Sequence, residues 1–133
     1  MAKQYTLSKA ERIHSKKTIE ALFTRGNESF VVYPFRLVYR FEEETEQAQS
    51  AILCSVSKKK FKRANKRNHV KRQIREAYRL NKLPLIECLN ETGKKLSVAF
   101  LFLPGSIKES EDINKKMKEA LNMLIQKIKP SED

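Results

Sequence analysis

Residues 57–82 read SKKKFKRANKRNHVKRQIREAYRLNK, and the way this stretch folds decides how the rest of the chain is arranged. It holds Lys58, Lys59, Lys60, Lys62, Arg63, Lys66, Arg67, Lys71, Arg72, Arg75, Arg79 and Lys82 against a single acid, Glu76, a net +11. The whole 133-residue chain carries +12, so everything outside the stretch is nearly neutral. An evenly spread excess would serve solubility. A concentrated one makes a local field, whose default partner is a polyanion.

From about Ala64 the residues are good helix formers, and no Gly or Pro intervenes before Pro84. Val70, Ile74, Ala77 and Tyr78 fall at i, i+4, i+7 and i+8, the apolar stripe of an amphipathic helix. At about 100° per residue, Arg67, Lys71, Arg75 and Arg79 climb one flank of that stripe, with Asn68 and Arg72 just beyond. His69, Gln73 and Glu76 take the other side. Cations four apart repel one another unless an anion joins them. An ordinary solvated helix face mixes Lys with Glu; here only Glu76 offsets the run, which favours a phosphate-binding face. Arg supplies a planar fork for phosphate or base-edge acceptors, Lys a point charge, and the Asn68 amide suits a sugar hydroxyl, a base edge or nearby backbone.

The length fits one compact domain, residues 1–133, with a loose arm at 1–10 and a tail at 130–133. No apolar run reaches a membrane span; the longest block is Val98 to Leu103, and the N-terminus has no signal-peptide core. The modest Val/Ile/Ala/Tyr stripe suits packing on a sheet better than entry into a bilayer. Cys54 and Cys88 have neither metal-ligand spacing nor a disulfide framework, and read as reduced thiols in a cytoplasmic protein.

Around the basic segment the chain alternates helix and strand patterns. Ile13, Ile19, Ala21, Leu22 and Phe23 predict a short helix, begun near Ser15 or Thr18 and capped by Gly26. SFVVY at 29–33 and FRLVYRF at 35–41 predict strands, separated or kinked by Pro34. In the second strand Phe35, Leu37, Tyr39 and Phe41 share one face, Arg36, Val38 and Arg40 the other. An acidic hairpin loop follows at 42–46. AILCSV at 51–56 predicts a strand covered on both faces, leading straight into the lysines. Pro84 breaks or restarts the helix, with a turn or two more before Gly93. LSVAFLFL at 96–103 is the best buried strand, ended by Pro104-Gly105. A last helix starts at Ser110 as N-cap, with Ile113, Met117, Ala120, Leu121, Leu124, Ile125 and Ile128 as its core stripe. The sum is an α+β sandwich, one sheet with helices packed on a face.

Ser55-Val56-Ser57-Lys58-Lys59, then Arg67-Asn68, Lys71-Arg72 and Arg75-Glu76, resemble the signature of the protein subunit of bacterial ribonuclease P. The opening Arg12-Ile13, the helix, Phe23 and Gly26 fit the same pattern. Three positions depart from it. Ile19 stands where the family often has an aromatic, Phe61-Lys62 where a Gly usually follows the lysines, and Pro104-Gly105 where a basic residue often follows the strand. The resemblance implies an αβββαβα fold of ribosomal-protein-like type, with a left-handed crossover around the basic central helix.

It also implies a division of labour. A large catalytic RNA uses bound Mg²⁺ to hydrolyse precursor tRNA and leave a mature 5′ end. The protein holds no cofactor of its own and has neither a membrane nor a small molecule as partner. Lys58, Lys59, Lys60, Arg63, Lys66, Arg67, Asn68, Lys71, Arg72 and Arg75 would meet the catalytic RNA. Phe23, Arg36, Val38 and Arg40 would line a cleft for the single-stranded 5′ leader. The residues themselves supply no catalytic set: no Gly-rich phosphate loop, no HExxH, no metal-spaced Cys/His cluster, and only His14 and His69. Other readings predict other behaviour. A structural, ribosomal-type RNA-binding protein would bind without promoting cleavage. A helix-turn-helix DNA binder needs a helix where the strand ending at Val56 stands. A free-standing nuclease needs the missing metal ligands.

Overall fold

Strand alternation sets the sheet. The computed structural model describes residues 16–23, 27–42 and 50–129. In β2 (Phe35–Glu42), Phe35, Leu37 and Tyr39 are buried while Arg36 and Arg40 are exposed. β1 (Glu28–Val32) pairs antiparallel with β2 across the Tyr33-Pro34 turn, whose peptide bond is cis, in the register Val32↔Phe35 to Glu28↔Tyr39. β3 (Ser50–Val56) lies at the far edge, and β4 (Lys95–Phe102) sits between β2 and β3, giving the order β1-β2-β4-β3. β4 is antiparallel to β2 and parallel to β3. A parallel pair needs a long crossover. It is supplied by α2 (Ala64–Asn81) and α3 (Leu83–Thr92). Pro34 therefore ends one strand and starts another, resolving the alternative of a single kinked strand.

One face of the sheet carries the main core. Val70, Ile74, Ala77 and Tyr78 of α2 are all buried, as the stripe predicts. They meet an aromatic floor in which Phe100 lies 6.0 Å from both Phe35 and Tyr78, ring centre to ring centre. Burying one such side chain stabilises the fold by about 1.5–3 kcal/mol. α4 (Ser110–Ile128) completes this layer through Ile113, Met117, Ala120, Leu121, Leu124 and Ile128, with Ile125 partly buried. Glu109, not Ser110, is the N-cap residue; Ser110 is already helical.

On the opposite face the helix among the described residues is α1 (Lys16–Leu22). Leu22 is fully buried against Ala51 and Ala99, with Ile19, Val38, Leu53 and Leu101 around it. Small residues beneath Leu22 let the helix sit close to the strands. Helices thus cover both faces, not one, because β3 and β4 are apolar at successive positions and expose an oily surface on either side.

The crossover holds more helix than the single turn or two expected. Pro84 lies in the first turn of α3, where its missing N–H leaves no bond unmade. Gly93 closes α3 in the left-handed region (φ 68°), its N–H bonding the Leu89 carbonyl. The element order is therefore αβββααβα. Cys54 and Cys88 are buried thiols outside any disulfide. Among the described residues no helix is long and apolar enough to cross a membrane. The arm at 1–10, His14, Gly26, the acidic loop beyond Glu42 and the tail at 130–133 lie outside the described residues.

Candidate nucleic-acid interface

α2 is held by its neighbours in one rotational setting. On the Gln73 flank, Gln73 Nε2 donates to the Lys108 carbonyl (2.9 Å) and the Ser110 hydroxyl (3.0 Å). Two turns further on, Asn81 Nδ2 donates to Asn114 Oδ1 (2.6 Å). Those contacts face α4. Helical geometry then places Lys71, Arg75, Asn68 and Arg72 on the flank turned away from α4. Asn68 and Arg72 are exposed, while Lys71 and Arg75 lie half-buried along the helix. Long cationic side chains commonly rest their stems on apolar surface and keep their heads in water.

Glu76, the only acid on α2, is already engaged. It accepts hydrogen bonds from Arg79, including one to Nε at 3.2 Å. That bond, more than the added attraction of the guanidinium, holds the Glu76 carboxyl below its ordinary value and against its slight burial. The reciprocal bond pushes Arg79 up. Glu76 thus neutralises Arg79 and leaves Lys71, Arg72 and Arg75 without an acid on their own helix.

Before α2 the chain makes a tight turn at residues 57–63. The Phe61 N–H bonds the Ser57 carbonyl (3.0 Å), and the Ser57 hydroxyl accepts from the Lys59 and Lys60 amides (3.2 and 3.4 Å). Phe61 is only 7 % exposed and packs against Phe102, ring centres 6.1 Å apart. It belongs to the core and offers no stacking platform. Around it Lys58, Lys59, Lys60, Lys62, Arg63 and Lys66 are exposed. Two cations of this region reach back to the protein. The Lys60 ammonium bonds the Leu103 carbonyl, and Arg67 Nη1 bonds the carbonyls of Phe61 (2.8 Å) and Lys62 (3.1 Å). Of the other eight residues expected to meet RNA, Lys58, Lys59 and Arg63 lie in or at the end of the turn, Asn68, Lys71, Arg72 and Arg75 lie on the open flank, and Lys66 is exposed in the first turn of α2 on the Gln73 side.

The residues expected to hold a leader lie on the α1 face. Register aligns Val31, Arg36, Leu101 and Ser55 in one row across the four strands, and Ser29, Val38, Ala99 and Leu53 in the next. Val38 packs beside Leu22, Ala51 and Ala99, so it forms the floor at the foot of α1. Arg36 and Arg40 are exposed. Phe23, just past α1, is 51 % exposed. Asn27 Nδ2 donates to the Ala21 and Leu22 carbonyls and so closes the end of α1. The sequence reading missed two exposed apolar residues of this area, Val31 (49 %) and Tyr33 (57 %). Alternation in β1 points to Val31, but only the strand pairing puts it beside Arg36. Two residues beyond Ser55 the chain enters the lysine turn, so the open sheet face and the basic run adjoin at one end of the sheet.

Among the described residues no three His, Cys, Asp or Glu side chains are grouped to hold a metal ion. Clustered cations and a half-open sheet face bearing exposed aromatic and aliphatic side chains can bind a polyanion and a single strand.

The family model described as Ribonuclease P matches residues 7–129. The ribonuclease P protein component of Porphyromonas gingivalis (strain ATCC 33277) is 42% identical over 117 residues, covering 88% of this chain and 85% of its own length. That of Chlorobium phaeobacteroides is 30% identical over 135 residues, covering 96% and 90%. The fold is similar to that of the Staphylococcus aureus RNase P protein. A mutant of that protein with defective mRNA degradation activity superposes with a TM-score of 0.68 at 19% identity, covering 93% of this chain and 96% of its own. A second structure of it gives 0.64, covering 87% and 96%. The match over nearly the whole chain, and relatives of almost equal length, place this chain in the ribonuclease P protein family.

Proposed function

We propose that this chain docks on the catalytic RNA of ribonuclease P through the lysine turn and the open flank of α2, and that the α1 face of the sheet holds the 5′ leader of precursor tRNA. In this reading residues 1–133 act as one cytoplasmic domain. The RNA carries the catalytic groups and uses Mg²⁺ to hydrolyse the phosphodiester, and the protein lowers the repulsion between two polyanions. Lys and Arg on the ridge displace condensed counterions from phosphates. Phe23 and Tyr33 are exposed rings suited to stacking on unpaired bases, and Arg36 and Arg40 suit the backbone of a single strand.

The observation that carries this reading is the ridge itself. Lys58, Lys59 and Arg63 are exposed in the turn that leads into α2, helical geometry puts Lys71, Arg72 and Arg75 on the open flank of that helix, and its sole acid is bonded to Arg79. The deciding experiment is precursor-tRNA processing by the catalytic RNA at limiting Mg²⁺, with and without this chain. Faster release of the leader with the chain present is the expected result. RNA binding without faster cleavage would make the chain a structural RNA-binding protein. Cleavage by the purified protein alone would move the chemistry onto the protein.

A further inference from the structure

We propose that Arg67 is a positioning residue, which fixes the lysine turn against α2 so that Lys58 and Lys59 meet RNA already in place. This builds on the reading of the turn as an RNA-docking surface. Arg67 lies one turn into α2 and is half-buried, unlike the exposed Lys66 and Asn68 beside it. Its Nη1 donates to the Phe61 carbonyl at 2.8 Å and the Lys62 carbonyl at 3.1 Å. Both carbonyls belong to the turn, and both bonds run back toward the protein.

The turn needs such a restraint. Lys58, Lys59, Lys60, Lys62 and Arg63 put five like charges into six residues. Charged segments of this kind repel themselves and spread. Several contacts oppose the spreading. The Ser57 hydroxyl takes the Lys59 and Lys60 amides, the Phe61 ring is buried against Phe102, and the Lys60 ammonium bonds the Leu103 carbonyl. These tie the turn to itself and to the sheet. Arg67 ties it by a side chain to the helix that carries Lys71 and Arg72. It thereby sets the spacing between the two halves of the ridge. A pre-set array loses less freedom when RNA arrives, and the gain appears as affinity.

The test uses the full chain and catalytic RNA in a double-mutant cycle. Arg67→Ala is expected to weaken RNA binding about tenfold. The Lys58→Ala/Lys59→Ala pair is expected to weaken the parent protein about tenfold, but the Arg67→Ala protein no more than about twofold, because the lysines are already displaced. If the two losses simply multiply, Arg67 is an independent contact and the proposal fails. A second measurement needs no RNA. Hydrogen exchange at the Lys59, Lys60 and Phe61 amides should be at least about tenfold faster in Arg67→Ala, with the β4 amides unchanged. Equal exchange at those three amides, or faster exchange throughout β4 as well, would overturn it. Arg67→Gln replaces Arg67→Ala should the latter unfold. If the parent chain itself does not bind catalytic RNA, the docking reading falls, and the exchange data alone decide the role of Arg67.

Discussion

Tyr78, fully buried on α2, shares a 2.6 Å hydrogen bond with Ser50, the first residue of β3 and itself buried. The two are 28 residues apart. Their bond ties the far end of the basic helix to the edge strand, opposite the end where the lysine turn leaves β3. Tyr78→Phe keeps the ring in place but leaves the Ser50 hydroxyl buried without this partner, at a cost of about 1–3 kcal/mol. Adding Ser50→Ala should recover much of that loss, since it removes the buried hydroxyl that the first substitution strands. Chemical denaturation of the three variants checks this, and equal losses in the single and double variants would refute it.

Glu76 gives a pH dependence of defined sign. Arg79 holds its carboxyl below the ordinary 4.5, so the folded state favours the ionised form. The contribution to stability is fully present above 4.5 and is lost as the pH falls through the depressed folded-state value. The pair is largely exposed, so the effect is small. Glu76→Gln should melt slightly below the parent at pH 7, and the gap should close in acid below 4.5. A gap that widens in acid would contradict the ion pair.

The same substitution removes the one negative charge of α2. At low salt, Glu76→Gln should bind catalytic RNA about two- to threefold more tightly, mainly through faster association. Filter binding at two salt concentrations checks it, and the advantage should shrink at the higher one.

Arg72 and Lys66 are exposed cations whose side chains make no hydrogen bond or ion pair among the described residues. Arg72→Ala and Lys66→Ala should each weaken RNA binding and flatten the plot of log affinity against log salt by about one unit of slope. Thermal stability should hardly change. An unchanged slope would remove that residue from the phosphate contacts.

Arg36 stands on the other face of the sheet, in the row with Val31 and Leu101. Arg36→Ala should weaken holoenzyme binding of precursor tRNA by about three- to tenfold while leaving mature tRNA unaffected, because only the precursor has a leader. Equal losses for both RNAs would place Arg36 elsewhere in the complex.

Much of this could be read from the chain because local patterns were unambiguous. The stripe Val70, Ile74, Ala77 and Tyr78 marked α2 almost to the residue, and alternation in FRLVYRF assigned both faces of β2. What was hidden depended on distant partners. Nothing local says that β4 inserts between β2 and β3, since each pairing joins segments dozens of residues apart. Phe61 sits among lysines and reads as loop, yet Phe102 pulls it into the core. Arg67 looks like one more cation on the ridge, because helical periodicity places its Cα but not the direction of its fork. Pro84 leaves a break or a restart open in the sequence, because a proline inside a helix costs a bond whereas in the first turn it costs none; the structure shows the restart, as α3.

β4, one of the two inner strands of the sheet, is also the last strand among the described residues to be synthesised. β1, β2 and β3 leave the ribosome with no β4 to join them, and α2 follows with its apolar stripe still unseated. Only when Phe102 has emerged can β4 bridge β2 to β3 and give the helix its floor. For that interval the most cationic part of the nascent chain exists before its platform, so nucleic acid can reach it before the fold has closed.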